Sequence, residues 1–152
     1  MRTVAKVIGT TFGSGFFPVA PGTVGSAVAA AALWMLPILQ PEFLLLIIAV
    51  FFVVGVWVST ECEREWGPDP GKVNWDEVVG MMITLLAVPK HWIVFVAGFI
   101  LFRLFDVLKP FPIHKLQSLP RGWGVMFDDV LAAIYANVIL QIVFHWIWNP
   151  FS

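Results

Sequence analysis

Five apolar segments, separated by short breaks and polar stretches, constrain this chain more than any other feature. The segments are residues 24–39, 43–59, 78–88, 92–107 and 130–148. A membrane-crossing helix needs about 20 apolar residues, with a range of roughly 17–25, and four segments approach or reach that length with their flanks. Only 12% of the residues are charged, against about 25% in ordinary soluble domains. The sequence therefore predicts an all-α, polytopic membrane helix bundle that forms a single domain over residues 1–152.

The third segment is the shortest and decides the topology. Counted from Asp76 it has about 13 residues, or roughly 20 Å at 1.5 Å per residue, which suits a tilted, half-buried or re-entrant helix. If all five segments cross, residues 60–77 and 108–129 lie on the same side as the N-terminus. That side then carries every basic residue except Lys90 and every acidic residue except Glu42. The positive-inside rule makes it cytoplasmic, so we predict about five membrane helices.

Composition excludes several classes of protein. The net charge of −1 gives no indication of a nucleic-acid partner. The single cysteine, Cys62, excludes an internal disulfide and a multi-cysteine metal site. The N-terminal stretch, residues 1–23, lacks the continuous apolar core of a signal peptide, and we expect it in the mature protein. The oligomeric state is not indicated.

Acidic residues stand at the predicted cytoplasmic ends of three apolar segments. Asp76 and Glu77 precede the third segment, and Asp128 and Asp129 precede the fifth. Each pair alone is explained by the helix dipole, which favours acids in a first turn. Asp106, however, lies inside the fourth apolar segment. Because five converging carboxylates would repel one another, the pattern favours a bound divalent cation.

Two basic residues accompany Asp106 in the sequence "FRLFDVLKPFP", residues 102–112. Arg103, Asp106 and Lys109 are three apart, which places them on one broad face of a helix end. Flanking positive charges with one ion pair are the alternative explanation. Carboxylates suit Mg²⁺, which typically takes one or two of them together with substrate phosphate. With two cations alongside, the set predicts phosphoryl chemistry.

A glycine-rich loop, "FGSGFFPVAPGTVGS" at residues 12–26, precedes the first apolar segment. Such a loop can bring backbone N–H groups close to an anion, and Thr23 is suited to cap the following helix. Glycine-rich loops are also often only turns. The loop is not a Walker A motif, since no Gly-Lys-Ser/Thr follows at the required spacing.

The fifth apolar segment carries a polar stripe. Asn137, Gln141 and His145 are four residues apart, and interhelical hydrogen bonding is the expected role of such a stripe. No histidine has a nucleophile beside it in the sequence. Ser14 and Ser26 have no neighbouring His/Asp partner, so a serine hydrolase is poorly supported.

Four blocks of the sequence, in order, resemble the phosphatidylglycerophosphatase A family of bacterial membrane lipid phosphatases. The blocks are "FGSGFFPVAPGTVGS", "DPGKVNWDEVVGMMITLLAVP", "FRLFDVLKPFPI" and "GWGVMFDDVLAA". The resemblance implies a small multi-helix, Mg²⁺-dependent enzyme of the bacterial inner membrane whose active site faces the cytoplasm. Its reaction would remove the terminal phosphate of phosphatidylglycerophosphate, a phospholipid, to give phosphatidylglycerol.

The resemblance also implies the residues of the site. The predicted metal ligands are the acids Asp69, Asp76, Glu77, Asp106, Asp128 and Asp129. The last four of these are also the predicted catalytic residues. The predicted substrate-binding residues are Arg103, Lys109, Gly22, Thr23 and Ser26. A metal-activated water is the expected nucleophile, with an aspartate as the alternative.

Two other classes of function remain open from the residues alone. A small cation channel or transporter would use the acids to bind its ion, but it predicts an acidic path across the membrane, whereas these acids crowd one side. A non-catalytic assembly protein would dock a partner on its charged loops. Such a protein would not require Arg103, Asp106 and Lys109 together with paired acids.

Overall fold

The computed structural model describes residues 2–147, and its elements are helices joined by turns and loops. The α-helices are α1 (Arg2–Gly9), α2 (Pro21–Met35), α3 (Pro41–Trp66), α4 (Trp75–Thr84), α5 (Trp92–Leu108), α6 (Ile113–Leu116) and α7 (Gly122–Ile142). A 3₁₀ turn at Ser14–Phe16 follows α1, and a π-helical turn at Val143–Ile147 extends α7. The predicted all-α fold is confirmed for this part of the chain. Trp148, the predicted end of the fifth apolar segment, lies outside the described residues.

The short helix α4 lies at the centre of the bundle, where α2, α3, α5 and α7 pack around it. Small residues permit this close packing, as is common between apolar helices. Gly80 of α4 faces the ring of Phe102, and a Cβ at residue 80 would lie 2.4 Å from that ring. On α7, Ala132, Ala133 and Ala136 are fully buried. One cluster of the core therefore lies between α4, α5 and α7, and a second lies between α3, α4 and α7.

Two helices are long and apolar enough to cross a membrane. They are Pro41–Trp66 and Gly122–His145, whose most apolar 18-residue stretches have mean hydropathies of 2.7 and 1.6. Large apolar side chains also face outwards, for example Leu46, Val53 and Ile100, which are 60%, 68% and 57% exposed. Exposed apolar surface of this kind is typical of contact with a membrane or a partner. These features support a membrane protein, and the number of crossings stays a prediction.

The polar stripe of α7 hydrogen-bonds the end of α4. Asn137 Nδ2 donates to the carbonyl oxygens of Thr84 and Leu86 at 3.0 and 2.9 Å, and Gln141 Nε2 donates to that of Leu86 at 3.2 Å. The last carbonyls of a helix have no partner within the helix, so these amides let α4 end inside the bundle. Interhelical hydrogen bonding is thus confirmed for Asn137 and Gln141, while His145 is exposed.

Replacing Asn137 by Leu should destabilise the protein by about 1–3 kcal/mol, because the Thr84 carbonyl loses its side-chain donor and the Leu86 carbonyl keeps only that of Gln141. Thermal unfolding in detergent, followed by tryptophan fluorescence, measures the change. The control is Val138→Leu at the next residue, whose side chain is 49% exposed and which should unfold like the wild type. An unchanged unfolding temperature for Asn137→Leu would show that the amide is dispensable.

The predicted start of the last helix is wrong. Asp128 and Asp129 do not open α7; the helix begins at Gly122, which puts both acids in its second turn at 3.6 residues per turn. The helix starts earlier because Val125 and Met126, 6% and 0% exposed, are buried against the rest of the bundle. Tertiary packing thus makes residues 122–127 helical, although their sequence suggests a loop.

The predicted cap of α2 is also wrong. The helix begins at Pro21, with Ala20 as the preceding cap residue, so Thr23 lies within the first turn instead of capping it. Proline is favoured at the first helical position, since its fixed φ suits the helix and its missing N–H has no partner there.

Candidate active site

The candidate active site lies where four helices meet at one end of the bundle. The start of α2, the start of α4, the end of α5 and the second turn of α7 contribute to it, and hydrogen bonds or ion pairs join them. The predicted residues that these contacts bring together are Ser26, Glu77, Arg103, Asp106, Lys109 and Asp128.

Glu77 is a buried residue of this site. Ser26 Oγ donates to Glu77 Oε2 at 2.8 Å, and Arg103 Nη1 forms an ion pair with the same oxygen. Burial raises the pKa of Glu77 to about 7, although the charge of Arg103 acts in the opposite direction. Glu77 is therefore held by a hydroxyl and a guanidinium in a largely dry environment.

Gly22 lets α2 approach Glu77. A Cβ at residue 22 would lie only 2.0 Å from Glu77 Oε1 and 3.3 Å from Arg103 Nη1. Any side chain here would therefore displace the carboxylate or the helix. Thr23, in the same turn, is half-buried.

Ion pairs run along the end of α5 and link it to α7. Arg103 Nη1 lies 2.8 Å from Asp106 Oδ2, one turn further along α5. Lys109 Nζ lies 2.5 Å from Asp128 Oδ2 and 3.9 Å from Asp106 Oδ1. Burial acts to lower the pKa of Lys109, but its bond to Asp128 prevails and the pKa is raised. Both cations thus lie among carboxylates and are charged.

Three carboxylates form a group that could hold a metal ion. Asp106, Asp128 and Asp129 each offer an oxygen, and these oxygens all lie within 4.8 Å of one another. Asp128 and Asp129 are 4% and 3% exposed, and Asp129 Oδ2 is buried without a hydrogen-bond partner. A buried carboxylate oxygen without a partner is unfavourable, and hard oxygen donors are those that Mg²⁺ prefers. The group therefore fits a small divalent cation.

Of the three other predicted ligands, Glu77 bonds Ser26 and Arg103, and Asp76 and Asp69 lie at the edges of this group. Asp76 has a buried Oδ1 without a hydrogen-bond partner, and burial together with the charges of Glu77 and Asp128 raises its pKa well above the usual value. Asp69 is exposed, and it accepts a hydrogen bond from Gln117 Nε2 at 3.4 Å. Asp69 thus lies on the rim of the site, beside a pocket of about 110 Å³.

Sequence reasoning missed Asn74, which fastens the glycine-rich loop to the site. Asn74 is fully buried, and its Nδ2 donates to Ser14 Oγ at 2.9 Å and to the Pro21 carbonyl at 3.2 Å. Thr11 Oγ1 donates to the Asn74 carbonyl at 3.3 Å. An Asn directly before a helix suggests a cap, but this side chain bonds distant residues instead, so only the position was visible in the sequence.

Fold and site together define an all-helical, apolar protein in which a carboxylate group suited to a divalent cation lies beside two half-buried basic side chains. Such a combination is typical of phosphate-processing enzymes. The family model described as phosphatidylglycerophosphatase A matches residues 7–144. The chain belongs to this family of phosphatases.

Named relatives cover most of the chain. Proteins named phosphatidylglycerophosphatase A from Haemophilus influenzae and Escherichia coli are 41% and 35% identical; each alignment covers 89% of this chain and 85% or 81% of the relative. A Bacteroides thetaiotaomicron protein, provisionally named a phosphatidylinositol-3-phosphatase, is 42% identical over 93% of both chains. Comparison with solved structures found no significant match.

Proposed function

We propose that the protein hydrolyses the terminal phosphomonoester of phosphatidylglycerophosphate, giving phosphatidylglycerol and inorganic phosphate, with Mg²⁺ as cofactor. The observation that carries this proposal is the group of Asp106, Asp128 and Asp129 oxygens within 4.8 Å of one another, next to Arg103 and Lys109. Family membership supplies the lipid substrate.

Asp106, Asp128 and Asp129 would hold the Mg²⁺, with the charge of Asp76 nearby. When bound, Mg²⁺ neutralises phosphate charge and lowers the pKa of water, which makes a nucleophile available near neutral pH. Glu77 has a different task in this proposal. Its bonds to Ser26 and Arg103 hold the guanidinium in place.

Arg103 and Lys109 would bind the phosphate. A guanidinium can donate two parallel hydrogen bonds to phosphate oxygens, and an ammonium adds a compact charge. In the reaction the oxygen of water forms a bond to phosphorus, the bond from phosphorus to the glycerol oxygen breaks, and that oxygen takes a proton. Both cations offset the negative charge that develops on the transferred group.

The site would face the cytoplasm from a bacterial inner membrane, with about five helices in the bilayer. Two helices meet the length and hydropathy expected of a crossing. The positive-inside rule favours the site end as cytoplasmic, because most basic residues belong to the predicted loops on that side. The acids are grouped at one end of the helices, whereas a cation transporter would need them along a path.

Phosphatidylinositol 3-phosphate is a second candidate substrate, because the relative with that provisional assignment is 42% identical. It also presents a phosphomonoester on a lipid headgroup, so the same cations and carboxylates could process it. The two substrates differ in the polyol that carries the phosphate. The assay must therefore compare them directly.

The test is phosphate release by the purified protein from mixed micelles that contain phosphatidylglycerophosphate, phosphatidylinositol 3-phosphate or phosphatidic acid. We expect release from phosphatidylglycerophosphate with Mg²⁺, its loss in chelator, and its return when Mg²⁺ is restored. Equal release in chelator would refute the metal dependence. Faster turnover of phosphatidylinositol 3-phosphate would favour the second candidate, and no release from any lipid would refute the proposed function.

A further inference from the structure

A crevice separates α2 from α3, although the two helices follow each other in the chain. The helix α2 packs on α4 and α5, whereas α3 packs on α1, α4 and α7, so the two are splayed apart. Between them lies a cavity of about 410 Å³ whose lining side chains are all apolar. The lining includes Ala29, Ala32 and Leu33 of α2, Ile47 and Phe51 of α3, and Met82 of α4. We call this cavity the α2–α3 crevice.

The α2–α3 crevice begins close to the α2 side of the candidate active site. Gly22 and Ser26, which contact or bond Glu77, share one face of α2 with Ala29 and Leu33, because residues three and four apart are neighbours on a helix. On α4, Val78 follows Glu77 and lines the crevice. The crevice therefore begins about one helical turn from the groups that hold Glu77.

The α3 side of the crevice contacts the residue that begins α4. The Phe51 ring stacks on Trp75 with 4.9 Å between ring centroids, and Trp75 Nε1 donates to the Phe51 carbonyl at 3.0 Å. Trp75 directly precedes Asp76 at the start of α4. An occupant of the crevice would thus contact residues whose position sets the start of α4.

We propose that the α2–α3 crevice holds one acyl chain of the lipid substrate while the headgroup phosphate lies at the carboxylate group. This proposal rests on the proposed function. A volume of about 410 Å³ falls in the range of roughly 300–1,000 Å³ typical of small-molecule pockets, and an all-apolar lining offers a polar occupant no hydrogen bond. Because the crevice begins about one helical turn from Ser26 and Glu77, the position favours an occupant that carries both a phosphate and a hydrocarbon chain.

In this proposal the crevice positions the lipid headgroup and selects substrates by the length of their acyl chains. Moving an acyl chain from the bilayer into an apolar crevice gains little hydrophobic free energy, since lipid tails are as apolar as the lining. A chain fixed in the crevice does orient the headgroup, and orientation of a reacting group strongly affects rate. A blocked crevice should therefore impair long-chain substrates and spare short-chain ones.

The test uses Ala32→Phe, in which a larger side chain narrows the crevice at an exposed residue. The matched control is Ala31→Phe, because the neighbouring Ala31 is also exposed and lines a separate groove between α2 and α5. We expect Ala32→Phe to lower kcat/KM for dipalmitoyl phosphatidylglycerophosphate about tenfold or more, while the dihexanoyl substrate stays within about twofold. Ala31→Phe should change neither value.

Several results would overturn the acyl-chain proposal. Equal loss on both substrates would mean that Ala32→Phe acts through the fold or the chemistry, and a selective loss only in Ala31→Phe would favour the other groove. A change in oligomeric size of Ala32→Phe in detergent would indicate that a second copy of the chain covers the crevice.

Photolabelling tests the acyl-chain proposal independently of the proposed enzymatic function. A diacyl phospholipid with a diazirine in mid-chain, photolysed with the wild-type protein, should label Leu33, Ile47 or Phe51 in preference to the outward-facing Val53. Labelling without that preference would refute the crevice as an acyl site. If the wild type hydrolysed neither chain length, the proposed function would fail while the labelling still tested the crevice.

Discussion

Replacement of Asp129 by Asn should lower kcat for phosphate release at least about a hundredfold. Asp129 is 3% exposed, its Oδ2 has no hydrogen-bond partner, and it belongs to the carboxylate group with Asp106 and Asp128. Asparagine has nearly the same shape, so the helix should persist, but it removes one negative charge and one oxygen ligand. The measurement is the initial rate against Mg²⁺ concentration, and the half-saturating concentration should rise as well.

Glu65→Gln is the matched control for Asp129→Asn. Glu65 is an exposed acid near the C-terminal end of α3, where it pairs with Lys6 at 2.5 Å and takes no part in the carboxylate group. Exposed ion pairs contribute only about 0–1 kcal/mol, so this variant should keep its activity and its Mg²⁺ dependence. Full activity in Asp129→Asn would remove Asp129 from the proposed metal site.

Replacement of Gly22 by Ala should reduce kcat/KM about a hundredfold, because small misplacement of a positioning group can have effects of that order. The added Cβ would lie 2.0 Å from Glu77 Oε1, so the carboxylate or the first turn of α2 must move. Either movement disturbs the ion pair between Glu77 and Arg103. Phosphate release over a range of substrate concentrations, together with thermal unfolding, measures the effect.

Gly71→Ala separates this steric effect from a general effect of losing a glycine. Gly71 lies in the loop before α4, and no atom lies within 4 Å of a Cβ at that position. The control should therefore match the wild type in activity. If Gly22→Ala retained full activity with unchanged unfolding, the tight contact between α2 and Glu77 would not matter for function.

Local patterns in the sequence were sufficient for the fold class and for part of the site. The length and apolarity of the segments predict helices because helices satisfy their own backbone hydrogen bonds in an apolar environment. Asp76 and Glu77 do open α4, as the helix dipole favours. The three-residue spacing of Arg103, Asp106 and Lys109 predicts one helix face, and Arg103 and Asp106 do pair along it.

The helix boundaries and the contact partners of the site residues depended on the tertiary structure. Asp128 lies inside α7 because burial of the preceding residues extends the helix, and burial is not a property of a short sequence window. The contacts of Glu77 join residues distant in the chain: Ser26 is 51 residues away and Arg103 is 26. Such pairs depend on how closely helices approach.

The sequence by itself determined an all-helical, apolar chain of the phosphatidylglycerophosphatase A family with acids and bases at predicted helix ends, since these follow from composition, period and motif. Only the tertiary structure decided which carboxylates lie close to one another and that Asn74 ties the glycine-rich loop to α4. It also decided that α2 and α3 splay into the α2–α3 crevice. The physical reason is that helix formation is governed within a few turns, whereas a site requires helices to pack at distances set by small side chains elsewhere in the chain.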